Sequence, residues 1–126
     1  MPTTAQATLL VIGHLLLGGL FVYGGVRHLF ILPALTQAVA GRTPAPRLVI
    51  LAGTALQICA GALLMAGLFV AAASLALVVF TAAACVLMLN FWDLPPGPER
   101  EAAKNQWLSN AAIVGGLLVS AAQALG

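Results

Sequence analysis

The chain has 126 residues, is 62% hydrophobic and carries only five basic and three acidic side chains. A water-soluble domain of this size needs a far more charged surface and has too small an interior for this much Leu, Ala and Val, so the composition selects a single-domain membrane protein. The net charge of +2 is spread over Arg27, Arg42, Arg47, Arg100 and Lys104, which gives no ground for a nucleic-acid partner and reads as interfacial charges flanking membrane helices.

The first eight residues lack a basic region, and no small-residue cleavage site precedes the first apolar stretch, so that stretch is expected to be retained rather than removed as a signal. Residues 9–32 make the first span, about 36 Å long as helix. Its glycines stand at 13, 18, 19, 24 and 25. Gly18, Val22 and Gly25 share one helix face, and in lipid such a smooth stripe invites a partner helix to close approach. Arg27 and His28 lie near the exit of the span. Pro33 stops or kinks the helix, and residues 34–40 are expected to form a short interfacial helix with Leu35 and Val39 on the lipid side. Thr43 followed by Pro44 reads as a helix cap and a first-turn proline.

Residues 48–92 run for forty-five positions without a formal charge, more than twice the roughly 20 residues that cross a bilayer as helix. The run has to turn back. The expected corner is residues 67–74, where Gly, Ser and small alanines gather, leaving spans at 48–66 and 75–92. Three prolines and a glycine then break the chain between Asp93 and Pro98, Glu99 and Glu101 suit the first turn of the next helix, and the last span covers residues 107–125. Trp92 and Trp107 belong at one interface. The expected fold is therefore all-α, a four-transmembrane-helix bundle.

Four spans put both termini and the corner on one side and the two longer loops on the other. The loop side holds Arg42, Arg47, Arg100 and Lys104, with Arg27 near it, and the terminal side holds no basic residue. By the positive-inside rule the longer loops face the cytoplasm and both termini face outward, as expected in a bacterial cytoplasmic membrane.

Polar side chains gather at the loop end. Arg27, His28, Asn90, Trp92, Asp93 and Asn110, with Gln57 nearer mid-bilayer, are the candidate pocket for a ligand or partner. Arg27 is costly in hydrocarbon unless it reaches phosphates or finds an anion, and Asp93 is the nearest candidate. Gln57 has to point into the bundle, as interhelical glue or as a ligand contact. No catalytic residue and no metal site is assigned. His14 and His28 are about 21 Å apart on one helix and cannot share a haem iron. Cys59 and Cys85 stand in no CxxC pair and read as small buried hydrophobes, although adjacent packing of the second and third spans would bring them to similar depths. The spans contain no deep carboxylate of the kind that proton-coupled transport uses.

The segment "GGLFVYGGVRHLF" at residues 18–30 and the stretch "NFWDLPPGPEREAAKNQWLSNAAIVGGLL" at 90–118 together resemble the DoxX family of small four-span membrane proteins. The resemblance lies in Phe91 and Trp92 before a proline loop, then a charged turn leading to Asn110 and the pair Gly115 and Gly116. It departs from the family in carrying Arg27 and His28 where a lysine is common, and in lacking basic residues at the central corner. It implies a four-helix integral bundle, with relatives that serve as a membrane subunit like that of thiosulfate:quinone oxidoreductase, in oxidative-stress complexes, or as assembly chaperones and cargo receptors. No catalytic motif is carried over. Two functions are expected to compete: a non-catalytic scaffold or accessory subunit that meets lipids and a membrane partner or further copies of itself, without a cofactor, and a quinone-linked oxidoreductase subunit with Arg27, His28 and Trp92 near the ring.

Overall fold

The computed structural model describes residues 3–126; Met1 and Pro2, within the N-terminal stretch that lacks a basic region, lie outside them. The described residues form α1 (Thr4–Phe30), α2 (Leu32–Val39), α3 (Pro46–Ala66), α4 (Val70–Met88), a single 3₁₀ turn (Phe91–Asp93) and α5 (Pro98–Leu125). Four of these segments are long and apolar enough to cross a membrane, and there is no strand among the described residues. This is an all-α, membrane-spanning helix bundle.

α1 starts on a reciprocal cap. The Thr3 hydroxyl accepts from the Gln6 backbone N–H at 3.1 Å while Gln6 Oε1 accepts from the Thr3 N–H at 2.7 Å, which satisfies two donors that a helix start leaves free. At its other end α1 stops at Ile31, and Pro33 occupies the first turn of α2. Because the chain turns within that one residue, α2 folds back under the bundle. Leu35 and Val39 are buried against it rather than facing lipid as expected: placed one turn apart, they share the inner stripe of α2 and pack toward α3 and α4.

α3 begins at Pro46, with Ala45 as its cap in the left-handed region (φ 48°). The expected cap at Thr43 does not form, because its hydroxyl donates to the Pro44 carbonyl at 2.9 Å instead. The corner between α3 and α4 is also tighter than expected. Only Gly67, Leu68 and Phe69 separate the helices, and residues 70–74 are already helical. Gly67 takes φ 73° and its N–H returns to carbonyls of the last turn of α3, while Leu68 N–H reaches the Leu63 carbonyl at 2.9 Å. The Gly67 and Leu68 donors are thus satisfied within the turn itself, and the alanines that follow extend the helix readily. The same helix ends at Met88, earlier than expected, where Asn90 folds back to donate to the Val86 carbonyl and the 3₁₀ turn takes over.

In the bundle, α1 packs chiefly on α3 and α4 on α5, with α3 against α4 joining the two pairs; α1 and α5 touch only sparsely. The smooth stripe on α1 explains the first pairing. A methyl built on Gly18 would collide with the Gly61 carbonyl and the Met65 backbone, and one built on Gly25 would collide with Ile58. Dispersion over such close surfaces holds helices together in lipid, where the hydrophobic effect between them vanishes. Phe21, Ala60, Leu64, Ala73, Leu77 and Leu117 form the central core, and Phe21 meets Phe80 edge to face at 6.3 Å between ring centres.

Candidate functional site

Sparse contact between α1 and α5 leaves a cleft between them on the loop side, about 320 Å³ in volume. α1 supplies Gly24 and His28, α3 supplies Gln57 from behind, α4 supplies Thr81, and α5 supplies Gln106 and Asn110. Glycine at position 24 is what admits Gln57, since a methyl there would sit 2.8 Å from Gln57 Nε2. Four different helices thus contribute polar side chains to the wall of one largely apolar space.

The groups differ in what they have left to offer. Asn110 is engaged: its Nδ2 donates to Cys85 Sγ at 3.3 Å, and its Oδ1 accepts from Gln106 Nε2 at 3.2 Å. Gln57 and Thr81 are each only 4% exposed, yet Gln57 Oε1 and Thr81 Oγ1 have no hydrogen-bond partner. Leaving two polar atoms unpaired in a dry interior costs about 1–3 kcal/mol each. His28 stands beside Gln57 in the same wall, close enough for its ring to interact with the Gln57 side chain, although not in hydrogen-bond geometry with that carbonyl oxygen.

His28, Gln57 and Asn110 therefore come together from separate helices. The remaining residues singled out from the sequence do not join them. Asn90 is occupied with the Val86 carbonyl. Trp92 packs edge to face with Phe91 and Trp107, at 5.3 and 6.4 Å between ring centres, in an aromatic group at the loop end. Asp93 pairs with Arg42 at 3.7 Å, not with Arg27. Arg27 is exposed because, two residues on from the buried Gly25, it lies about 200° round the helix on the opposite face, whereas Arg42 lies in the loop after α2 and faces the Asp93 turn.

Two functional features escape the sequence reading. Thr81 is one of them, although a hydroxyl in the middle of a span is itself a signal of an inward-facing position. The second is a polar latch on the terminal side: His14 Nε2 lies 2.8 Å from Ser120 Oγ, and the Ser74 hydroxyl donates to Ser120 Oγ at 3.4 Å. This latch, with Leu17 against Gly116, closes the α1–α5 seam at one end, so the seam opens only toward the loops. Fully buried Leu77 and Leu117 separate the latch from the cleft along α4 and α5.

Cys59 is exposed, Cys85 is buried, and both are free thiols. Among the described residues no three His, Cys, Asp or Glu side chains are grouped to hold a metal. The arrangement is suited to recognition by hydrogen bonds in an apolar setting. No family model matches the chain, and neither does any curated protein or solved structure.

Proposed function

We propose that this membrane bundle is a non-catalytic accessory subunit of a larger membrane assembly, and that its loop-side polar end is its recognition surface. The observation that supports this reading is the cleft in which Gln57 and Thr81 hold unpaired hydrogen-bonding atoms. Such atoms, set in an apolar-walled pocket, serve binding directly. The distribution of basic residues supports a cytoplasmic location for this end in a bacterial cytoplasmic membrane, with both termini outside. Kinship with the DoxX proteins is part of the same proposal and rests on the residues shared around Phe91, Trp92 and Asn110.

Gentle extraction of the native membrane tests the reading. A defined membrane protein, or further copies of this chain, should accompany the bundle in fixed stoichiometry, and its abundance should fall when the bundle is removed. Recovery of bare monomer, with no other protein affected by the deletion, would refute it.

One observation favours the second reading, a quinone-linked oxidoreductase subunit: His28, Gln57 and Thr81 share one cavity. Arg27 and Trp92, also assigned to the ring in that reading, lie outside it. Turnover separates the two: with an added electron donor, an oxidoreductase subunit reduces quinone catalytically, whereas an accessory subunit binds without turning quinone over.

A further inference from the structure

We infer that the α1–α5 cleft takes the head of an uncharged, hydroxyl-bearing amphiphile that enters sideways from the bilayer, leaving its tail in the open seam. The inference rests on the recognition role proposed above and names the chemistry of what is recognised.

Three observations converge on that chemistry. The unpaired Gln57 carbonyl oxygen accepts only, so its ligand has to bring a donor, while the unpaired Thr81 hydroxyl both donates and accepts. A hydroxyl group answers both at once. A head with carbonyls alone would leave Gln57 Oε1 unsatisfied, which separates a quinol from a quinone and a partial glyceride from a fully esterified one.

The second observation is charge. None of the residues lining the cleft is Arg, Lys, Asp or Glu, and His28 is the single titratable group facing it. An anionic head would therefore lose its hydration and meet no counter-charge, a cost that a neutral head avoids.

Depth and access supply the third. Thr81 lies seven residues, about 10 Å, inside the loop end of α4, well within hydrocarbon. The seam between α1 and α5 is latched only on the terminal side, by His14 with Ser120 and by Leu17 with Gly116. A lipid-soluble molecule can thus reach the site through the gap between Leu20, Gly24 and His28 on one helix and Gln106, Asn110 and Ile113 on the other. The volume of about 320 Å³ is at the small end for ligand sites, enough for a compact head and the first part of a tail. The His28 imidazole is the internal competitor, because a tilt of its ring would let it donate to the same Gln57 oxygen.

The test uses the full chain in neutral-lipid nanodiscs with a monoacylglycerol carrying a diazirine in its acyl chain. Photolabel should appear on residues 20–28 and 106–113. Unlabelled monoacylglycerol and a long-chain quinol should both compete, and their relative potency distinguishes a glyceride from a quinol as the natural source. The bis-methyl ether of the same glyceride and phosphatidate should compete poorly. Gln57→Leu and Thr81→Val should each weaken labelling about tenfold, the loss that goes with one net hydrogen bond, while resistance to unfolding is unchanged or raised, because each variant removes an unpaired buried atom. His28→Phe should leave labelling intact or strengthen it. Label scattered over the outer face of α1, equal competition by the ether or phosphatidate, or full labelling of both variants would overturn the inference. If labelling fails while a partner protein still copurifies, the ligand chemistry is wrong and the accessory role stands. Specific labelling without any partner means the reverse: the ligand chemistry stands and the accessory role fails.

Discussion

Replacing single glycines by alanine tests the close crossing of α1 and α3, on which the rest of the bundle is built. A methyl at Gly61 would lie 2.9 Å from the Gly18 carbonyl oxygen, 3.1 Å from Val22 Cγ2 and 3.2 Å from Phe21 Cβ. Carbon ordinarily approaches a carbonyl oxygen to about 3.3 Å, so the two helices have to part by about 0.4 Å along their tightest line. At Gly18 the obstruction is worse, since the Gly61 carbonyl and the Met65 backbone N–H are both in the way and neither can rotate aside. Overpacking of this kind costs about 1–3 kcal/mol. At Gly13 and Gly115 a methyl meets nothing within 4 Å. All four positions lie inside helices, so the gain of up to about 1 kcal/mol from Gly to Ala is common to them and cancels in the comparison. G18A and G61A should therefore be less stable than G13A and G115A by about 1–3 kcal/mol, with G18A the least stable. Reversible SDS titration in mixed micelles, followed by far-ultraviolet circular dichroism, measures the difference. Unfolding of all four at one SDS fraction would refute the packing argument.

The latch between α1 and α5 makes its own prediction: a double-mutant cycle with His14→Phe and Ser120→Ala should return a favourable coupling of about 0.6 kcal/mol, the average for hydrogen bonds between membrane helices, and at most about 1.7 kcal/mol; a coupling of zero or of the opposite sign would remove the latch. Ala45 holds a left-handed conformation (φ 48°) ahead of Pro46, so Ala45→Gly should raise stability by about 1 kcal/mol in the same titration; a loss would show that the turn is not strained. Single cysteines at Gly41 and Pro96, in a background lacking Cys59 and Cys85, should react with a membrane-impermeant maleimide from the same face of sealed vesicles. Labelling from opposite faces would overturn the four-span topology.

How much can be known in advance follows from the range over which each interaction acts. The four spans, the break at Pro33 and the glycine face of α1 are consequences of local composition: length sets what can cross oil, proline removes a donor, and a missing side chain leaves room for a neighbour. These are legible residue by residue. The boundaries are less so, because the turn at Gly67 and the start at Pro46 depend on which backbone groups find partners, and small residues suit a helix as well as a corner.

The candidate site divides along the same line. Gln57, His28 and Asn110 stand out in the sequence because polar side chains in or beside a hydrophobic span have to face protein. That they share a cleft with Thr81, that Asp93 answers Arg42 rather than Arg27, and that α2 tucks Leu35 and Val39 beneath the bundle all depend on the rotation and tilt of one helix against another. A hydrophobic pattern says that a face is buried and leaves open which neighbour buries it. Pairing α1 with α3 and α4 with α5 parts α1 from α5 on the loop side, and that choice, made by packing across helices distant in the chain, is what creates the cavity.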